Sequence, residues 1–275
     1  MKKIFKIAPG FEAGTANATL LIEVSANHFF YGIVEESDNQ LKESGYYVSE
    51  IDDEDFLGTM FSENTILKNP FKKVVIAYHF ADAILSPAQL FRQKETREVL
   101  NLIHGKLWMD AMVPEFIGNY SIYNQYSVPQ HIHKSMVLHF VRANYWHGYS
   151  VRLKNIKPER NTGNHFFMDL RTDNFLIAAI SDGVPQLVQI FDYTSPADVL
   201  YSTLRICEHF PFRQDNVSLH LGGLVERDSA LYTDLYKYFK HISFESFSSP
   251  LSLDTAFKEY PDHYFSVMDK LLQCV

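Results

Sequence analysis

Two short segments set carboxylates where apolar runs give way to turns. They are Glu23-Val24-Ser25-Ala26-Asn27 and Asp169-Leu170-Arg171-Thr172-Asp173. A carboxylate at such a place can join others around a cation, or it can be a polar strand end held by local hydrogen bonds. A metal nuclease needs several carboxylates converging on two cations. The runs 74–80 and 217–221, which would sit beside these strands, carry none. His131-x-His133, with His139 and His147, invites a metal reading. On a helix, residues i and i+2 do not share a face, and no Cys or carboxylate nearby completes a set. No Gly-x-Ser-x-Gly selects a nucleophile. Gly222-Gly223 closes an apolar run, as a tight strand-to-helix turn or a close backbone approach requires.

The elements that must position these residues come in a repeated order. Leu20–Val24, Phe29–Val34 and Leu41–Val48 read as a β-meander. Asp52-Asp53-Glu54-Asp55 precedes a helical spacing at Phe56, Leu57, Met60 and Phe61, where carboxylates favour a first turn. Residues 73–80 read as a buried strand. Ser86-Pro87 reads as an N-cap with proline at N1, with helix toward Ile103 and a stop at Gly105. Trp108–Met112 and Tyr120–Tyr126 are expected as strands, Pro129–Arg142 as a helix, and Asn155–Asn164 as a linker.

The order then begins again. Phe166–Leu170 and Phe175–Ile180 are strands, Asp182-Gly183 is a hairpin turn, and Gln186–Phe191 is a third strand. Ser195-Pro196-Ala197-Asp198 supplies a cap, an N1 proline and an N3 carboxylate for the next helix. Val217–Leu221 is a fourth strand. Asp228 is expected to cap the helix that follows. Residues 242–247 form a strand, and Pro261 opens a last helix. Glu23 and Asp169 stand 146 residues apart, and Val74 and Val217 stand 143 apart. Six elements in one order at a near-constant offset point to an internal duplication.

Two meanders, each followed by a helix and a fourth strand, resemble the actin-like ATPase fold. That fold is two ribonuclease-H-like domains, each a mixed sheet flanked by helices, facing each other across a cleft. Ser195–Tyr201, Val217–Gly222, Ala230–Tyr238 and Leu85–Phe91 are similar to a Bacteroidetes family of unknown function, domain of unknown function 3822. The resemblance implies a duplicated α/β fold with domains at 1–157 and 158–275 and no established activity.

The resemblance also implies an ATP site to test. In active members, two hairpins carrying Asp-x-Gly hold the phosphates. The Asp positions Mg through water, and the Gly admits backbone N–H groups. Here Glu23 and Asp169 keep the carboxylates, with Asn27 and Asp173 further along each hairpin. Ser25 and Arg171 stand where the glycines would be. Arg171 would fill the space of a phosphate, or reach one as a cation. Gly222 and Gly223 resemble the pair on which adenosine lies.

The chain has 275 residues, 46% hydrophobic, enough for a large core. Only 12 are glycine, which counts against several glycine-rich phosphate loops. The formal charge of −8 repels nucleic acid, and the spaced Arg152, Lys154, Lys157 and Arg160 read as a solvated connector. No apolar run approaches the ~20 residues of a membrane helix. Two cysteines, Cys207 and Cys274, suit a reducing cytoplasm. The expected function is a cytoplasmic pseudo-ATPase that binds a protein partner, with no cofactor. The rival is an ATP-binding protein or slow Mg-ATPase that uses Glu23, Asn27, Asp169, Arg171, Asp173, Gly222 and Gly223. A third reading is a sensor of a non-nucleotide anion anchored on Arg171.

Overall fold

Runs of apolar residues on both faces make central strands, and the first meander has them. In the computed structural model, which describes residues 1–9, 14–49, 55–105, 110–160, 162–210 and 212–275, four strands open the chain. They are Lys2–Ile7 (β1), Ala18–Val24 (β2), His28–Glu35 (β3) and Gln40–Val48 (β4). They pair antiparallel in the order β1-β4-β3-β2. β1 adds a strand before the expected meander; it is short, with the exposed Lys6 alternating between buried Phe5 and Ile7 and a register shift between Lys3 and Phe5. Phe56–Glu63 (α1) follows with Phe56, Met60 and Phe61 buried. Residues 52–54 of the acidic run lie outside the described residues. Lys73–Tyr78 (β5) then joins β2 in parallel.

The next stretch departs from expectation. Ser86-Pro87 does not start a helix but ends a strand, Ala83–Pro87 (β6). The helix begins later, as Thr96–His104 (α2), and stops at Gly105 as expected. Asp110–Ile117 (β7) and Ile122–Pro129 (β8) complete a three-stranded antiparallel sheet, ordered β6-β8-β7. β6 is an edge strand, where a proline costs no ladder bond. This small sheet adds to the two mixed sheets expected. Residues 108–109 of the expected Trp108 strand lie outside the described residues. Gln130–His139 (α3) follows, then Asn144–His147 (β9), which joins β5 in parallel, and Gly148–Lys154 (α4).

The second sheet repeats the first. Asn164–Leu170 (β10), Asn174–Ser181 (β11) and Val184–Asp192 (β12) form the meander. Asp182 and Gly183 both take positive φ at the hairpin turn, 47° and 78°. Pro196–His209 (α5) starts at a capping box, with Asp198 accepting from the Ser195 N–H at 2.9 Å. Val217–Gly223 (β13) pairs in parallel with β10. Ala230–Tyr236 (α6) is capped by Ser229, whose hydroxyl accepts from Tyr232 N–H at 3.2 Å; Asp228 lies one residue too early. His241–Phe244 (β14) joins β13 in parallel. The two-residue strand Ser252–Leu253 (β15) crosses to pair with β4. Pro261 introduces a 3-10 turn, and the helix proper is Ser266–Leu272 (α7).

The order β4-β3-β2-β5-β9 is thus repeated as β12-β11-β10-β13-β14. Glu23 lies opposite Ala77, and Asp169 opposite Gly222. Val74 therefore corresponds to Leu219, two residues beyond the Val217 of the sequence match. The two helices that follow the fifth strands exchange sides. α7 packs on β2 and β5, and α4 packs on β11. Leu21, Val75 and Ala77 share one apolar cluster with Val267, Met268 and Leu271. Ala178 and Ile180 share another with Tyr149 and Leu153. The inner faces of both sheets are closed by this pair of helices.

Candidate functional site

Alternation along β2 and β10 turns Glu23 and Asp169 toward the layer of α4 and α7. Both carboxylates are buried, at 2% and 4% exposure. Burial is unfavourable for a lone charge, so each must find a cation.

Glu23 finds Arg171. Arg171 Nε donates to Glu23 Oε1 at 2.5 Å, and Nη2 donates to Oε2 at 2.8 Å. Arg171 Nη1 donates to the Leu170 carbonyl at 3.0 Å. His28 Nε2 lies 3.1 Å from Glu23 Oε1, and His79 Nδ1 lies 3.6 Å from Oε2. Burial alone would raise the Glu23 carboxyl, but the Arg171 guanidinium outweighs it and holds it well below the usual carboxylate value. His79 goes the other way: burial pushes it down to about 4.

Asp169 finds two cations. Arg152 Nε donates to Asp169 Oδ2 at 3.1 Å, and Arg152 Nη2 also donates to Oδ2. Lys270 Nζ donates to Asp169 Oδ1 at 3.1 Å. Glu245, just past β14, accepts from Arg152 Nη1 at 2.5 Å and from Lys270 Nζ at 2.6 Å. Arg152 and Lys270 each hold the fifth place of the seven-residue helix that follows a fifth strand. Burial opposes ionisation of Asp169 and Glu245, yet Arg152 and Lys270 lower both. Three anions and three cations so form one buried, neutral cluster.

The hairpin tips close over it. Asn27 Nδ2 donates to the Asp173 carboxylate, and these are equivalent positions of the two repeats. Asp173 Oδ1 accepts from Asn174 Nδ2 at 3.0 Å, and Asn174 Oδ1 meets His79 Nε2 at 2.8 Å. Ser25 spends its hydroxyl on its own turn, at 2.7 Å from Asn27 Oδ1 and 2.9 Å from His28 Nδ1.

A nucleotide phosphate does not fit these residues. The Arg171 side chain spans from one hairpin to the other. The cavity left between Glu23, Asp169, Arg152, Arg171 and Lys270 is about 10 Å³, roughly the room of one water. Gly222 and Gly223 are needed for packing. A Cβ on Gly222 would come within 2.5 Å of both Glu245 Oε2 and Ser266 Oγ. Gly223 has φ +80°, and a Cβ there would lie 2.1 Å from the Leu170 carbonyl oxygen.

Arg152 is no solvated connector residue; it is 2% exposed within α4. Arg152, Lys270 and Glu245 were not singled out as site residues, nor were His28 and His79. A signal existed for the two cations. Each has apolar neighbours in a short helix, Arg152 between Val151 and Leu153, and Lys270 before Leu271 and Leu272. The histidines of α3 are occupied separately: His133 Nδ1 meets Tyr78 Oη at 2.8 Å, and His139 stacks on Phe61 at 3.8 Å. Among the described residues, no three potential metal ligands converge. No helix among them is long and apolar enough to cross a membrane.

Residues 11–242 match the family described as "Protein of unknown function (DUF3822)". The chain belongs to that family. Among solved structures, it is similar to a Bacteroides thetaiotaomicron protein of actin-like ATPase fold and unknown function. The identity is 17%, the TM-score 0.78, and the match covers 95% of this chain and 97% of that one. It is also similar to a chain of the PilM–PilN type IV pilus biogenesis complex, at 10% identity and TM-score 0.60, covering 93% and 98%. No curated protein sequence matches. The fold is therefore the actin-like ATPase fold, as the sequence resemblance implied.

Proposed function

We propose that the protein is a cytoplasmic protein-binding or scaffold module that works without ATP turnover. One observation carries this reading: Arg171 fills the interval between the hairpins, paired to Glu23 at 2.5 and 2.8 Å. A side chain fixed in that interval excludes the phosphates whose hydrolysis drives opening and closing in an actin-like ATPase. The two halves are then held by the protein's own charges. What a fold does when its chemistry is gone must come from its surfaces. The formal charge of −8 favours a protein partner over nucleic acid. That a chain of the same fold occurs in the PilM–PilN complex is consistent with a protein partner.

The test is affinity capture with the tagged full chain from native cytoplasm, with and without added Mg-ATP. The same protein should be enriched equally in both. No enriched protein, or a partner released by Mg-ATP, contradicts the reading.

A further inference from the structure

The second sheet brings a serine and two histidines together beside a groove of about 630 Å³. The size is within the range of small-ligand sites, about 300–1,000 Å³. Ser243 on β14 lies opposite His220 on β13, and His220 lies opposite Phe167 on β10. His165 stands two residues before Phe167 and so shares its face of the sheet.

Their hydrogen bonds run in one direction. The Thr162 carbonyl can only accept, so His165 Nε2 donates to it at 2.9 Å. In the neutral ring His165 Nδ1 therefore accepts, and His220 Nε2–H donates to it at 3.1 Å. That leaves His220 Nδ1 without a proton, and it accepts from the Ser243 hydroxyl at 2.9 Å. The Phe167 ring stacks on His220 at 4.6 Å and 16°, which holds the imidazole plane. Ser243 is exposed at the groove, with His220 half-buried behind it.

A serine oxygen, a base that accepts its proton and a third group that fixes the base's tautomer make an activated nucleophile. The strand adds a donor. β14 is the edge of the sheet, and Glu245 N–H donates to the Leu221 carbonyl at 2.9 Å. Phe244 N–H, one residue earlier, therefore points to the side on which no strand pairs. An amide next to the nucleophile can meet the oxyanion of a tetrahedral intermediate. The relay shares no residue with the charge cluster around Asp169.

The geometry points to a serine-nucleophile site that cleaves small carboxylic esters, with Ser243 and His220 as catalytic residues and His165 as a positioning residue. Ser243 Oγ bonds to the ester's carbonyl carbon as its proton passes to His220 Nδ1. The bond from that carbon to the alcohol oxygen breaks, and His220 returns the proton to the departing alcohol. Water, deprotonated by His220 in the same way, then releases the acid and restores the Ser243 hydroxyl. Burial pushes His220 down to about 4, so the ring is a neutral base at pH 7. A base that weak favours an acyl carbon that already takes a nucleophile readily, an ester rather than an amide.

The test is reaction of the full chain with phenylmethanesulfonyl fluoride and with p-nitrophenyl acetate. The sulfonyl fluoride should add once, with loss of fluoride, and peptide mass mapping should place it on Ser243. The acetate should give a burst of about one p-nitrophenol per chain. Ser243→Ala should abolish both, and His220→Ala should slow both by at least about tenfold. Ser246→Ala, which alters another serine of the groove, should react as the wild type does. His165→Leu should slow both by about tenfold, whereas His165→Asn, whose amide oxygen can accept in place of Nδ1, should restore them. No adduct, an adduct that persists in Ser243→Ala, or labelling unchanged in His220→Ala overturns the proposal. None of these results bears on Arg171 or on capture of a protein partner.

Discussion

Arg171 and Glu23 are 148 residues apart in the chain and form a two-point ion pair that joins the two hairpins, Nε to Oε1 at 2.5 Å and Nη2 to Oε2 at 2.8 Å. Ser25, the counterpart of Arg171 in the first hairpin, makes only local bonds. The duplicated framework therefore carries an unsymmetrical substitution at its centre. One repeat supplies the carboxylate, and the other supplies the cation that meets it.

Removing one partner leaves the other charge buried alone. Arg171→Ala should cost about 3–5 kcal/mol in urea unfolding. The double variant Glu23→Gln, Arg171→Met should be closer to wild type, because no unpaired charge remains. A loss below about 1 kcal/mol for Arg171→Ala would show that water already reaches Glu23.

The histidines set an acid response. His79 titrates at about 4 when folded, against about 6.5 when unfolded. Between those values the unfolded chain binds a proton that the folded chain refuses, so stability falls as pH falls from 6.5 to 4. The shift corresponds to about 3 kcal/mol. Glu23 and Asp169 have lowered folded values, so their contribution is present above the unfolded carboxylate pKa and is lost only at lower pH. Denaturant melts from pH 7 to 4 should show the decline, and His79→Gln should lessen it, while His147 and His220, which burial pushes down to about 3 and about 4, keep their share. An unchanged slope in His79→Gln would remove His79 from the account.

The glycine pair should rank by geometry. Gly223→Ala meets backbone at 2.1 Å and a φ of +80°, whereas Gly222→Ala meets the ends of the Glu245 and Ser266 side chains. Gly223→Ala should therefore be the more destabilising, by more than the ~1 kcal/mol of an unstrained backbone change. Equal thermal stabilities for the two variants would contradict this order.

How much of this was legible can be seen residue by residue. Both meanders, the hairpin at Asp182-Gly183 and the capping box at Ser195 were readable because their signals are local: alternation, turn chemistry and a cap. Glu23, Asp169 and Arg171 stood out because the repeat aligns them. The partners did not. Arg152 and Lys270 reach Asp169 from two helices, and Glu245 meets both cations from a strand end, at spacings that the repeat does not align. Ser86-Pro87 carried a helix-start signal that the edge of a three-stranded sheet overrode.

The most direct test of the central claim is thermal unfolding of the full chain with and without millimolar Mg-ATP, Mg-ADP or Mg-GTP. A cleft site at 100 times its Kd would stabilise the fold by roughly 2.7 kcal/mol. That would raise Tm by about 2–4 °C per kcal/mol. With Arg171 in the interval between the hairpins, Tm should not move with any of the three nucleotides. A nucleotide-specific rise of several degrees, abolished by Asp169→Ala, would contradict the account and return the cleft to ATP.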